Sequence, residues 1–158
     1  MYKRQTVGTG IGVGVLLDGM PYKGNFHLEA GHMRIPNTHN YSGVCNLHGD
    51  CWEGLASGPS MKARWGVDPV ELPKNHEAWA IEAKLLSLGL INIISTYSPE
   101  KIIVGGGVLS QEHLLSMIRS NIAILWNNFT PLGDLSDLIT KPVLGKDSGI
   151  IGALSLVC

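Results

Sequence analysis

Charge of one sign is what this chain most clearly lacks: 12 Lys and Arg stand against 13 Asp and Glu, for a net charge of -1, and no Lys/Arg cluster occurs anywhere. Nucleic acid and anionic membranes are held by concentrated positive charge, so neither is expected as the main partner. No apolar run is read as long enough to span a bilayer and no signal peptide is read in the sequence, so the cytoplasm is the expected location, with no membrane partner expected. Cysteine is scarce, at three residues, too few for a disulfide framework. The phosphate-loop pattern GxxxxGK[ST] and the dinucleotide pattern GxGxxG with its later acidic partner are both missing, which disfavours those two nucleotide folds. What is there is 158 residues, 44% hydrophobic and 16% charged, enough for one domain with a substantial core.

Two of the three cysteines share one seven-residue window, Cys45-Asn-Leu-His48-Gly-Asp-Cys51, with a histidine midway and His32 thirteen positions upstream. Thiolate and imidazole donors at such spacing can converge on one tetrahedral ion from a tight loop, so His32, Cys45, His48 and Cys51 read as a structural Zn2+ site. The alternatives are buried free thiols beside a surface imidazole, or a Cys45–Cys51 disulfide, which would suit an oxidising compartment. His27 or His39 could replace His32. Cys158, the last residue, is expected as a free thiol on a final helix.

Met1 to Gln5 lead without turn or cap into Thr6 to Leu17, an apolar, glycine-rich strand already in progress, and are expected to be a non-native leader to a domain over 6–158. Asp18-Gly19 predicts a hairpin turn with a return strand near Met20 to Lys23. From about 24 to 74 the chain reads as loop, punctuated by Gly58-Pro59. A helix capped by Asn75 then runs to about Tyr97, with Trp79, Ala83, Leu86, Leu90 and Ile93 at helical spacing. Lys101 to Val104 is a short strand. A second helix, capped by Ser110, carries the stripe Leu114, Ile118, Ile122 and Leu125, a polar linker passes Pro131, Gly133 and Asp134, and a last helix spans about 147–157. His76 and His113 fall at helix starts with no role assigned. The order is α/β.

Two glycine-rich turns could meet a nucleotide. In Gly8-Thr9-Gly10-Ile-Gly12, bare backbone and the Thr9 hydroxyl can approach phosphate oxygens. Gly105-Gly106-Gly107 lies directly between a strand and a helix, where a ligand can rest on backbone. Either could equally be only a tight connection. Between them Glu29-Ala-Gly-His32 offers a carboxylate and an imidazole that could hydrogen-bond neighbouring sugar hydroxyls, and an imidazole also bound to metal would be held rigidly.

With these residues in view, the chain resembles the ROK sugar kinases of the actin-like ATPase and sugar-kinase (ribonuclease H-like) superfamily. Thr6-Val-Gly-Thr-Gly-Ile-Gly12 is similar to the family's second phosphate motif, Glu29-Ala-Gly-His32 to its ExGH sugar motif, and Gly105-Gly-Gly-Val108 to its adenosine motif, in the family's order. Cys45 to Pro59 is similar to the zinc loop of bacterial ROK fructokinases, although Asn46-Leu47 stands where relatives often have proline and an aromatic. The resemblance covers about 6–157 and corresponds to the C-terminal half of such an enzyme, with an inserted zinc loop. It implies ATP-dependent phosphorylation of a hexose, most simply fructose to fructose 6-phosphate, with Mg2+ on the phosphates. It further implies Glu29 and His32 on the sugar, Thr9 and Gly10 on the transferring phosphate, Gly105, Gly106 and Gly107 at the adenosine end with Pro59 bordering the cleft, and a homodimer. The family's DxGGTK loop and the aspartate base of its GNDxN segment match nothing here, so the base is expected outside this chain and the chain alone is expected to be inactive. A ROK repressor that keeps the sugar site behind a DNA-binding domain, a glucokinase or mannokinase of the same family, and a zinc-stabilised binding module without catalysis remain alternatives.

Overall fold

The computed structural model describes residues 2–154. Its sheet contains β1 (Tyr2–Val7), β2 (Ile11–Leu17), β3 (Met20–Pro21), β4 (Lys101–Gly105) and β5 (Ile139–Thr140), in the spatial order β3-β2-β1-β4-β5. The β1–β2 and β2–β3 pairs are antiparallel; β1–β4 and β4–β5 are parallel. Parallel neighbours need a crossover, which for β1 and β4 is carried by the long stretch over 22–100. The helices are α1 (Trp52–Ala56), α2 (Gly58–Trp65), α3 (Ala78–Tyr97), α4 (Glu112–Trp126), α5 (Leu135–Leu138) and α6 (Ser148–Leu154).

The Asp18-Gly19 turn forms as expected, with both residues at positive φ (51° and 79°), the backbone that matches the twist of a two-residue hairpin. The single strand expected over Thr6 to Leu17 is instead two strands broken at Gly8–Gly10, where Gly8 N donates to Gly10 O at 3.0 Å. Tyr2 to Gln5, expected outside the domain, belong to β1, the middle strand of the sheet. On β2 the alternation is strict: Ile11, Val13 and Val15 are buried while Gly12 and Gly14 face out.

α3 is the central pillar of the core. Trp79, Ala83, Leu86, Leu90 and Ile93 are all buried, and so are Leu114, Ile118 and Ile122 on α4; Leu125 is half-buried. By length and composition α3 would be able to cross a bilayer, contrary to the sequence expectation, but most of it is buried within this domain, as suits a core helix. Its start differs too. Asn75 is no cap; α3 begins at Ala78, whose N–H donates to His76 Nδ1 at 3.1 Å. Ser110 likewise does not cap α4, because residues 108–110 form a 3-10 turn that buries Val108 and Leu109 and delays the helix to Glu112.

The stretch 24–74 is less loop-like than its composition suggests. Cys51 Sγ accepts from Gly54 N at 3.4 Å and Ser57 Oγ from Ser60 N at 3.4 Å, capping α1 and α2. Gly58-Pro59 therefore opens a helix, with proline in its first turn, where a missing N–H costs nothing. Trp52 is fully buried, donates Nε1 to Leu85 O at 3.1 Å, and lies where a side chain on Gly89 would stand, which docks α1 directly on α3. The polar linker also has structure: Asp134 Oδ1 accepts from Ser136 N at 2.7 Å and starts α5, which leads into β5. α6 covers Ser148–Leu154; the rest of the expected helix, and Cys158, lie outside the described residues.

Candidate functional site

Two short segments build a four-donor cluster. His32 closes a 3-10 turn over Ala30–His32, and residues 45–51 fold back through paired hydrogen bonds between Cys45 and Gly49, at 3.2 and 2.9 Å. The segments are joined where Trp52 N donates to Met33 O at 2.9 Å and where Arg34 pairs with Asp50. His32 Nδ1 stands 3.7 Å from Cys45 Sγ, 3.6 Å from Cys51 Sγ and 3.3 Å from His48 Nδ1, and His48 Nδ1 stands 3.7 Å from Cys45 Sγ. A tetrahedral ion with roughly 2.3 Å bonds to sulfur and roughly 2.0–2.1 Å to nitrogen has edges of about 3.6 Å between N and S and about 3.3 Å between two N. The donors fit such an ion. All four expected ligands are therefore together, both cysteines are free thiols, and His32 rather than His39, which stacks on Tyr41, or the exposed His27 completes the set. The backbone N–H groups of His48 and Leu47 pull the Cys45 thiol down to about 6, while burial raises that of Cys51.

The glycine turns meet at one end of the sheet. β1 and β4 are parallel with Thr6 opposite Gly105, so both turns leave the carboxyl ends of adjacent strands, the edge at which open α/β sheets hold ligands. A Cβ on Gly8 would lie 4.0 Å from Gly107 N, and Gly58 N donates to Gly8 O at 2.8 Å, which brings the start of α2, with exposed Pro59, to the same place. Gly106 has φ 112° and a side chain there would strike the Val7 backbone, so only glycine fits this crossing. Thr9 is exposed at the tip of its turn, Gly10 is half-buried, and Glu29 is exposed immediately before the turn that ends in His32.

Glu53 escaped the sequence reading. Its Oε2 accepts the Ile11 N–H at 2.8 Å, and its Oε1 lies 4.0 Å from His32 Nε2, both side chains being 26% exposed. It thus stands between the metal donors and the Gly8–Gly10 turn. Its position two residues after Cys51, one of the candidate donors, was the available signal.

The ROK family model matches residues 4–158. The chain is 38% identical over 157 residues to the fructokinase of Streptococcus mutans, covering 96% of this chain and 54% of that protein, and 38% identical over 159 residues to the fructokinase of Zymomonas mobilis, covering 96% and 52%. Xylose repressors of Bacillus are also similar, at 29% identity or less. The crystal structure of a ROK hexokinase from Thermus thermophilus superposes with a TM-score of 0.76 at 23% identity, over 96% of this chain and 55% of that one, so the expected actin-like, ribonuclease H-like fold is the fold observed. The chain spans about half the length of the curated relatives it matches. By its sequence over nearly its full length, and by its fold, this chain belongs to the ROK family.

Proposed function

We propose that this chain forms the sugar- and nucleotide-facing C-terminal part of an ATP-dependent hexose kinase, converting fructose to fructose 6-phosphate, and that His32, Cys45, His48 and Cys51 hold a structural Zn2+. The observation that carries this reading is the pair His32 Nε2 and Glu53 Oε1 beside the Gly8–Gly10 turn. With Nδ1 committed to the metal, Nε2 carries the proton and donates, while the carboxylate accepts. Half-buried and 4.0 Å apart, the two can be bridged by one hydroxyl with hydrogen bonds of ordinary length to both. The names of the relatives at 38% identity support a sugar as the source of that hydroxyl, and fructose as the sugar.

In this reading Glu29 takes a neighbouring hydroxyl, Thr9 and Gly10 face the transferring phosphate, and Gly105, Gly106 and Gly107, with Pro59 at the border, leave bare backbone for the adenosine end. Mg2+ bound with ATP would neutralise charge on the phosphates. These residues act by orientation, holding the hydroxyl in line with the phosphate. The general base is assigned to the portion of the relatives' length that this chain does not span. A homodimer in the cytoplasm is the proposed setting.

The test is an assay of the native polypeptide that contains this sequence, with ATP and each of fructose, glucose and mannose. Fructose should give the highest kcat/KM, and Glu29→Gln should raise KM for the sugar. No turnover of any hexose overturns the reading. Sugar binding without turnover would instead favour the repressor reading, which rests here on weaker similarity.

A further inference from the structure

We infer that Glu53, beyond facing the proposed sugar hydroxyl with one oxygen, uses the other to couple occupancy of the metal centre to the shape of the phosphate-facing turn; the inference rests on reading His32, Cys45, His48 and Cys51 as a metal site. Glu53 and Ile11 are 42 positions apart, yet Glu53 Oε2 accepts the N–H of Ile11, the first residue after the Gly8–Gly10 turn, at 2.8 Å. The same oxygen lies where a side chain on Gly10 would have to stand, so the carboxylate is seated against the turn itself. The metal-binding side grips Ile11 a second time. Gly31, next to His32, packs so closely that a Cβ there would collide with the Ile11 carbonyl oxygen.

Glu53 has little freedom to move apart from the metal donors. It sits in the first turn of α1, whose capping residue is Cys51, and both Cys51 and the intervening Trp52 are 0% exposed. Its second oxygen faces His32 Nε2 at 4.0 Å, on the ring whose Nδ1 belongs to the donor cluster. An anionic carboxylate is no partner for a phosphate, and this one instead accepts from the backbone N–H of Ile11. Glu53 therefore holds the turn in place and is not itself a phosphate ligand. When the metal leaves, the cysteine and histidine donors lose their common anchor, the first turn of α1 relaxes, and the Ile11 N–H loses its partner.

Hydrogen–deuterium exchange on the chain, zinc-loaded and chelator-stripped, with zinc content measured alongside, reads this directly. In the wild type, stripping should speed exchange in peptides covering 8–13 as well as 42–51 by about tenfold or more, the size expected when a hydrogen bond to a charged group is lost. Peptides covering 112–126 should not change. In Glu53→Ala, exchange over 8–13 should be fast with and without zinc, at unchanged zinc stoichiometry. Glu53→Gln, whose amide oxygen can still accept from Ile11, should keep most of the coupling. If stripping opens 42–51 and leaves 8–13 as it was, if 8–13 in Glu53→Ala responds as in the wild type, or if 112–126 opens to the same extent, the coupling is overturned while the metal site stands. A chain that takes up no zinc overturns both.

Discussion

The metal-loop region and the α3–α4 layer sit side by side and are held by different forces. α3 and α4 bury leucine and isoleucine continuously, so their stability comes from apolar area removed from water and from close packing. Residues 30–51 have almost no such core: Leu47 is 83% exposed, Val44 37%, and the buried residues there include Gly31, Ile35 and Cys51. Short hydrogen-bonded turns and a four-donor cluster stand in for a core. A small loop cannot bury enough apolar surface to order itself, and an ion held by the four donors, as proposed, would supply that free energy instead.

The largest effect that would break this contrast is loss of a ligand. Cys51→Ser should abolish zinc uptake, measured by elemental analysis, and disorder residues 42–51 while far-ultraviolet dichroism of α3 and α4 persists; loss of the helical signal as well would mean that the two regions are one unit. In the packed layer, Leu90→Ala should cost about 2–5 kcal/mol in chemical denaturation and leave zinc stoichiometry at one.

Glu82 sharpens the comparison, because it is a charge-bearing group inside the apolar layer. It is 0% exposed, both of its oxygens lack a hydrogen-bond partner, and burial raises its carboxyl well above the usual range despite the Arg64 guanidinium. A carboxyl whose folded value is raised contributes its full stability below its unfolded value and loses it as pH rises towards the folded one. Glu82→Gln should therefore gain stability over the wild type as pH climbs from about 4 to 8, followed by urea midpoints; equal midpoints across that range would show that the group is solvated. Smallest is the pair Arg34–Asp50 at the edge of the metal region, with side chains 63% and 40% exposed. Arg34→Ala should barely move the urea midpoint, and less still in salt.

Much of this was legible along the chain. Helical stripes on α3 and α4 repeat every three or four residues, and the hairpin turn is encoded in Asp18-Gly19, because both depend on neighbours in sequence. The helix starts expected at Asn75 and Ser110 differ from those observed, since a good capping residue competes with turns that bury better side chains, as Val108 and Leu109 do. α1 and α2 are not legible as helices in the sequence because each is under three turns long and has no room for a periodic pattern. Glu53 carries no local signal of its role because its partner, Ile11, is 42 residues away.

The sequence by itself determined the Cys45–His48–Cys51 part of the donor set, the order of the glycine turns and the apolar faces, since donor spacing, backbone freedom and periodicity are local properties of the chain; that His32 completes the set was settled only by the fold. Only the tertiary structure decided that the two turns leave adjacent parallel strands, that Gly106 crosses the Val7 backbone, and that a carboxylate links His32 of the four-donor cluster to the end of the Gly8–Gly10 turn. Those contacts join residues tens of positions apart, and long-range contacts form only when the whole core has brought their backbones within reach.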